Sequence, residues 1–271
     1  MRVFVKILKN IAVWIISLCV IIPLLLIVLN ALKNDTDASS MSFTLPSYIQ
    51  WQNFSTVIQQ GKLLTTFFNS VLYSVVSVAL CAILSTMAAF VLYRRKDKLS
   101  KGLYFFISLG IAMPINYVSL TWVMQATHLN NTQLGVCLLY TAMWLPFSVF
   151  LGYGFIGTVP KQIDEAAVID GCSPLRMFFS IILPLLKPVI VTIAVLNFMN
   201  AWNEFISPLY FLNNSDQWPM TLAVYNFFGQ FQMSWNLVCA DILLTCLPVF
   251  IIYLFGQRFI ISGMTAGAVK G

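Results

Sequence analysis

Residues 158–188 read TVPKQIDEAAVIDGCSPLRMFFSIILPLLKP, and apolar runs long enough to cross a bilayer lie on either side. A connection between two membrane helices needs only a handful of residues. This one is several times longer and carries Asp164, Glu165 and Asp170, a third of the nine acidic residues in the chain. It also has its own helix signals. Thr158 can cap, Pro160 suits a first helical turn, and Asp164 and Glu165 sit near the positive end of the short helix that follows. Ile163, Ala166, Ala167 and Asp170 share a face at spacings of three and four. The two alanines make that face small, so another surface can approach closely. Gly171 suits a left-handed stop, and Ser173-Pro174 reads as N-cap and first residue of a second short helix over 175–182. Pro184 and Pro188 end that helix and restart the chain. The expected unit is helix, glycine turn, helix, outside the hydrocarbon.

The spacing of Glu165-Ala166-Ala167, Gly171, Ile181, Leu183 and Pro184 resembles the EAA loop of ABC importer permeases, the transmembrane subunits of ATP-driven uptake systems. The resemblance implies a cytoplasmic loop whose first helix, the coupling helix, docks into a cleft on an ATPase subunit. It proposes Glu165, Ala166, Ala167, Asp170 and Gly171 as the docking residues. Cys172 stands where the family usually has Ala, and it too is small.

Composition agrees with a membrane protein. The 271 residues are 59% hydrophobic and 9% charged, against about 25% charged in soluble domains. A soluble core cannot absorb that much apolar surface. The net charge of +6 is therefore a matter of topology and does not indicate nucleic-acid affinity. The cysteines (Cys19, Cys81, Cys137, Cys172, Cys239 and Cys246) have no metal-type spacing and read as small hydrophobes. A single His128 leaves no histidine cluster or triad.

Six spans are expected, at about 11–32, 67–92, 103–126, 134–157, 189–212 and 236–259. The first, with its outer connection, makes up residues 1–66. A permease core occupies 67–271, with the loop at 158–188 and a small, flexible tail at 260–271. Thirteen of the fifteen Lys and Arg fall on the side of the termini, the 94–101 turn and the 158–188 interval, leaving Lys33 and Lys62 opposite. The positive-inside rule then puts both termini and the loop in the cytoplasm.

Two further motifs matter. Gly152-Tyr153-Gly154-Phe155-Ile156-Gly157 matches the dinucleotide pattern G-x-G-x-x-G. That reading needs a preceding strand, and close helix packing by small residues accounts better for a match inside a span. No P-loop occurs, so ATP and Mg would belong to partner ATPase subunits and this chain needs no cofactor.

The expected fifth span contains Asn197, Asn200, Trp202, Asn203 and Glu204. A buried carboxylate in a span is a functional candidate. On one reading these residues line a water-filled substrate path, with Trp202 offering a flat face to a sugar ring. On the other, they hold helices together. Asp241, in the expected sixth span, reads as structural or interfacial and not catalytic.

Further resemblances point to the carbohydrate branch: Leu45-Pro46, Asn53-Phe54, Phe68-Asn69-Ser70 and Trp202-Asn203-Glu204-Phe205, with the tail from Gly263 similar to that of maltose-type inner subunits. They imply a non-enzymatic permease for a sugar or oligosaccharide. Its expected partners are a second permease, two ATPase subunits or domains, and an external solute-binding protein. A permease for a polyol or glycerol phosphate, or a proton-coupled transporter using Glu204 and Asp241, are the alternatives. Which sugar is carried, and which permease holds it, the residues do not say.

Overall fold

A computed structural model describes residues 2–228 and 233–268, with side chains over 9–228 and 233–257. Its elements are helical: α1 Arg2–Ala31, α2 Asp35–Ala38, α3 Gln52–Gln60, α4 Leu63–Arg94, α5 Lys98–Leu109, α6 Tyr117–Ala126, α7 Gln133–Ile156, α8 Gln162–Ile169, α9 Pro174–Leu185, α10 Lys187–Asn203, α11 Ile206–Phe211, α12 Met220–Ala223 and α13 Trp235–Ala268. A single bridge, Phe228 to Met233, is the only strand-like pairing among the described residues.

Stretches of α1, α4, α7 and α13 are each long and apolar enough to cross a membrane. The pair α9 and α10, bent by 78°, makes a fifth candidate. Large apolar side chains on them are exposed, such as Trp14 on α1, Phe68 on α4 and Phe250 on α13.

Two expected spans are broken. Residues 103–126 form α5 and α6, separated by a non-helical stretch around Pro114, instead of one helix. Pro114 has no N–H to continue the ladder and pushes Met113 out of the helical region. Asn116 then starts α6, its Oδ1 accepting from the amides of Val118 and Ser119, both at 3.1 Å. Residues 189–212 likewise break after Asn203, where Glu204 is extended and α11 begins two residues on. At the C-terminus, the backbone of α13 continues to Ala268, so most of the expected flexible tail is helical.

The chain divides into two compact units. The first comprises Met1–Phe67 and Pro219–Pro248. It is held by a polar knot: Asn53 Nδ2 donates to the carbonyls of Ala31 and Lys33, both at 2.8 Å, and Asn236 Nδ2 donates to Asn53 Oδ1 at 3.0 Å. Lys33 is buried, with Nζ donating to Asn30 Oδ1 and to the carbonyl and hydroxyl of Ser42. The aromatic stretch after Pro219 stacks Tyr225 on Phe228, with ring centroids 5.2 Å apart. Gln232, which helical spacing would put on the face of Tyr225 and Phe228, lies outside the described residues.

The second unit comprises Phe68–Trp218 and Val249–Gly271 and contains everything the site needs. One end of it is tied by Asn69, which donates to the carbonyls of Asp216 and Trp218. Tyr73 adds a hydrogen bond to the Gln217 carbonyl at 2.6 Å. At Gly152 a Cβ would come 3.0 Å from the Cβ of Ala89. That is the close helix approach expected of the small-residue motif; Gly154, by contrast, meets nothing.

Candidate functional site: the 158–188 interval and its attachments

The interval leaves α7 through a turn. Thr158 Oγ1 donates back to the Phe155 carbonyl at 2.8 Å, so Thr158 closes the preceding helix and does not open the next. The N-cap of α8 is Lys161, which makes no side-chain cap bond. Asp164 and Glu165 lie in its first turn as expected. Its C-terminus closes doubly: the Cys172 amide donates to the Ala167 carbonyl and the Gly171 amide to the Val168 carbonyl, both at 3.0 Å. This is the Schellman arrangement, which requires a left-handed residue, and Gly171 supplies it with φ +72°. Ser173 then caps α9, its Oγ accepting from the Arg176 amide, with Pro174 in the first turn.

The α9 helix runs past the expected 182 to Leu185, with a π turn at Phe178–Ile182. The 78° bend falls at Leu186, which is fully buried. Ala89, Phe90, Ile156, Val159, Phe178, Ile182, Leu186, Val189 and Ile193 form one apolar cluster around it. The interval is therefore packed onto α4, α7 and α10. A polar clamp adds to this. Arg94, at the end of α4, places Nε 2.5 Å from Asp164 Oδ2 and Nη2 3.3 Å from Oδ1. The same Nη2 donates to the Val159 carbonyl at 3.1 Å. Both side chains are mostly buried, and the guanidinium lies 5.9 Å from the ring centres of Phe90 and Tyr93.

Of the predicted docking residues, Glu165, Ala166, Asp170 and Gly171 are exposed, while Ala167 is buried against the protein. Beside them stand Val168, Ile169 and Leu175, exposed by 64%, 85% and 64%. The exposed side of the interval thus sets bare apolar side chains next to acids. Sequence reading missed these three. Their signal was present as apolar residues flanking the glycine turn, Val168 and Ile169 at the end of α8 and Leu175 in the first turn of α9. It also missed the Arg94–Asp164 clamp, because Arg94 sits in a run of basic residues that reads as a topology signal.

The second predicted set divides. Asn197 is buried and donates Nδ2 to Ser148 Oγ at 2.9 Å and Cys81 Sγ at 3.2 Å, linking α10 to α7 and α4. Trp202 is buried and stacks on Phe198, with ring centroids 5.6 Å apart. Asn200 and Asn203 are exposed, Asn203 donating to the Met199 carbonyl. Half-buried Glu204 accepts from the Ser207 amide at 2.9 Å and its hydroxyl at 3.0 Å, which caps α11. Spacings of three and four would put Asn197, Asn200 and Glu204 on one helix face, but the helix ends at Asn203 and Glu204 is extended. In the first unit, Asp241 is buried and its Oδ1 has no hydrogen-bond partner among the described residues.

The sequence profile of the binding-protein-dependent transport system inner membrane component family matches residues 81–266. The chain belongs to this family. It is 33% identical over 257 residues to a probable starch degradation products transport system permease protein, AmyC, of Thermoanaerobacterium thermosulfurigenes, covering 94% of each chain. It is 34% identical over 253 residues to the melibiose/raffinose/stachyose import permease protein MelC of Bacillus subtilis (strain 168), covering 92% of this chain and 91% of that one. Its fold matches a chain of a bacterial ABC transporter involved in import of the acidic polysaccharide alginate. The TM-score is 0.83 at 20% identity, with 95% and 96% of the two chains covered. This permease is thus a transport component and not an enzyme. Family membership also sets aside the proton-coupled transporter.

Proposed function

We propose that this permease is one half of the translocation path of an ATP-driven, binding-protein-dependent importer for a neutral sugar or oligosaccharide. The sugar assignment is supported by the sugars and starch products named for relatives similar over nearly their whole length. In this reading the chain makes six spans, counting α5 with α6 as the third and α10 with α11 as the fifth. Both termini and the 158–188 interval face the cytoplasm. A second permease completes the path, a solute-binding protein delivers the sugar, and two ATPase subunits hold ATP and Mg.

One observation carries the coupling role. The exposed face of α8 is wired into the membrane helices by the Arg94–Asp164 clamp and by the apolar cluster at Leu186. A push on Glu165, Ala166, Val168, Ile169 or Asp170 therefore moves α4, α7 and α10 together, because packed interiors transmit displacement and do not absorb it. Ala167 supports α8 from behind, and Gly171 fixes the turn. Asn200 and Asn203 are the members of the membrane set placed to meet solute, while Asn197 and Trp202 hold α10 in position.

The test is reconstitution of the permease pair with its ATPases and binding protein in proteoliposomes, followed by uptake of labelled raffinose, maltotriose and glycerol 3-phosphate. ATP-dependent uptake of a sugar is expected, abolished by Glu165→Lys with the permease pair intact. Uptake driven by a proton gradient without ATP overturns the reading, and so does a pair that falls apart on Glu165→Lys.

A further inference from the structure

The turn between α4 and α5 carries the densest charge in the chain. Residues 95–101 hold four cations, Arg95, Lys96, Lys98 and Lys101, against the one carboxylate of Asp97, so seven residues supply +3 of the net +6. Arg94, just before them, is engaged by Asp164. Asp97 is engaged too, accepting from Ser100 through both oxygens. The four cations are exposed, and among the described residues their side chains make no hydrogen bond or ion pair. A topology signal needs positive charge on the turn but no particular arrangement of it. Here the arrangement is particular.

The α5 helix turns Ser100 and Tyr104 inward: Ser100 is buried, and Tyr104 stacks on Tyr153 of α7 with ring centroids 3.8 Å apart. The opposite side therefore carries Lys98, Gly102 and Phe106, one above the next at a spacing of four. All three are exposed. A Cβ at Gly102 would meet nothing within 4 Å, so the packing of the chain does not call for a glycine there. Glycine also weakens a helix that alanine would strengthen. The column thus reads cation, gap and aromatic ring over eight residues, a rise of about 12 Å. A phospholipid lying along a helix presents the matching order of phosphate, glycerol and acyl chain. Leu99, Leu103 and Phe105 flank the column and are exposed as well. This apolar flank favours lipid over a protein partner. The cations stand within two turns of Phe105 and Phe106, at the boundary of headgroup and hydrocarbon, where a lysine can lay its stem on apolar surface and keep Nζ among phosphates.

We infer that the outward face of α5 at Lys98, Gly102 and Phe106, with Arg95, Lys96 and Lys101 around the phosphate, is a binding site for an anionic phospholipid of the cytoplasmic leaflet. The inference rests on the proposed cytoplasmic placement of this turn and goes beyond the importer function. Arg95 follows Arg94 directly, so a lipid held here also steadies the residue that clamps Asp164 of α8. Each cation close to an anionic membrane surface favours binding about fivefold.

The experiment takes the complete transporter, delipidated in detergent, and titrates it with phosphatidylglycerol or with phosphatidylcholine of identical acyl chains, bound lipid being counted by native mass spectrometry. Lys98→Gln combined with Lys101→Gln is expected to weaken retention of one phosphatidylglycerol about tenfold or more, with phosphatidylcholine unchanged. Arg95 and Lys96 stay in place to preserve topology. Gly102→Leu changes no charge and fills the gap, and it should weaken the same lipid several-fold. In proteoliposomes, adding phosphatidylglycerol to phosphatidylcholine should raise ATP-dependent uptake by the parent several-fold, and the double variant should lose that rise. Equal retention of phosphatidylglycerol by the parent and both variants overturns the site. So does equal competition by inorganic phosphate, which would make it a site for any small anion. A double variant that keeps the lipid but loses its ATPases overturns it too, in favour of a protein contact. If the unmodified transporter shows no ATP-dependent uptake, the importer function fails, while lipid retention still decides the site.

Discussion

Two interruptions of apolar helix, at Leu186 and at residues 110–116, sit beside prolines, yet one is dry and packed while the other is bare. At Leu186 the chain turns by 78° inside a cluster of nine buried apolar residues. At 110–116 the chain leaves helix with its side chains exposed and a cavity alongside. A proline only stops the hydrogen-bond ladder; what surrounds the stop decides whether it becomes a lever or an opening. The first is packed around by side chains of this chain, and the second is left bare by them.

The sharpest way to break this contrast is to put a carboxylate at each interruption. Leu186→Asp buries an unpaired charge in an apolar cluster, at a cost of several kcal/mol. Met113→Asp adds one where the side chain is 69% exposed. By fluorescence-detected size exclusion of solubilised permease, Leu186→Asp should leave almost no folded protein, while Met113→Asp should accumulate nearly as the parent. Equal loss in both would show that the 110–116 break is as dry as the bend.

A smaller effect probes the lever alone. Arg94→Ala leaves the Asp164 carboxylate mostly buried without its partner, at a cost of about 1–3 kcal/mol. Uptake should fall about tenfold or more, the equivalent of about 1.4 kcal/mol, with ATPases still bound. The exchange Arg94→Asp with Asp164→Arg should recover part of it. A double-mutant cycle separates the pair from each residue's other contacts. Additive losses would mean that the clamp is not what couples α8 to α4.

Glu204 gives a weaker test, on the opposite side of the contrast. Glu204→Ala removes the cap of α11, worth about 1 kcal/mol, and should reduce uptake a few-fold. Glu204→Gln keeps an acceptor for the Ser207 amide and should transport nearly normally. An inactive Glu204→Gln would restore a role for the charge itself.

These residues also show what could be read in the chain beforehand. The 158–188 interval was legible because local chemistry dictates it: Gly171 must accept a left-handed turn, and Ser173-Pro174 must start a helix, whatever lies nearby. The breaks at 110–116 and at Glu204 were not. Hydropathy averages over about twenty residues, and both stretches stay apolar through their interruption. Asn197 and Glu204 looked alike as polar groups in an apolar run, but one crosslinks three helices and the other caps a helix that sequence periodicity did not divide. The Arg94–Asp164 clamp joins residues seventy positions apart, a distance at which neither residue carries any local sign of the other.

The smallest effect lies at the far end of α5, the helix that leads into the bare break. Asp97 caps α5, its Oδ1 accepting from the Ser100 hydroxyl at 2.6 Å and its Oδ2 from the Ser100 amide at 3.3 Å. Chiefly that hydroxyl hydrogen bond holds the Asp97 carboxyl below the usual carboxylate range. A group lowered in the folded state stabilises above its unfolded value and loses that contribution as pH falls through the folded one. Acidification below about pH 4 should therefore loosen the first turn of α5, read as faster amide exchange at Ser100 and Lys101 than the intrinsic pH dependence gives. Asp97→Asn still caps but cannot titrate, so its exchange should follow the intrinsic curve alone. If the loosening also speeds exchange at Val118 and Ser119, slack at the start of α5 crosses the break, and α5 is held there by its cap. If it does not, the break at 110–116 absorbs the motion, as an unpacked interruption should and the buried bend at Leu186 could not.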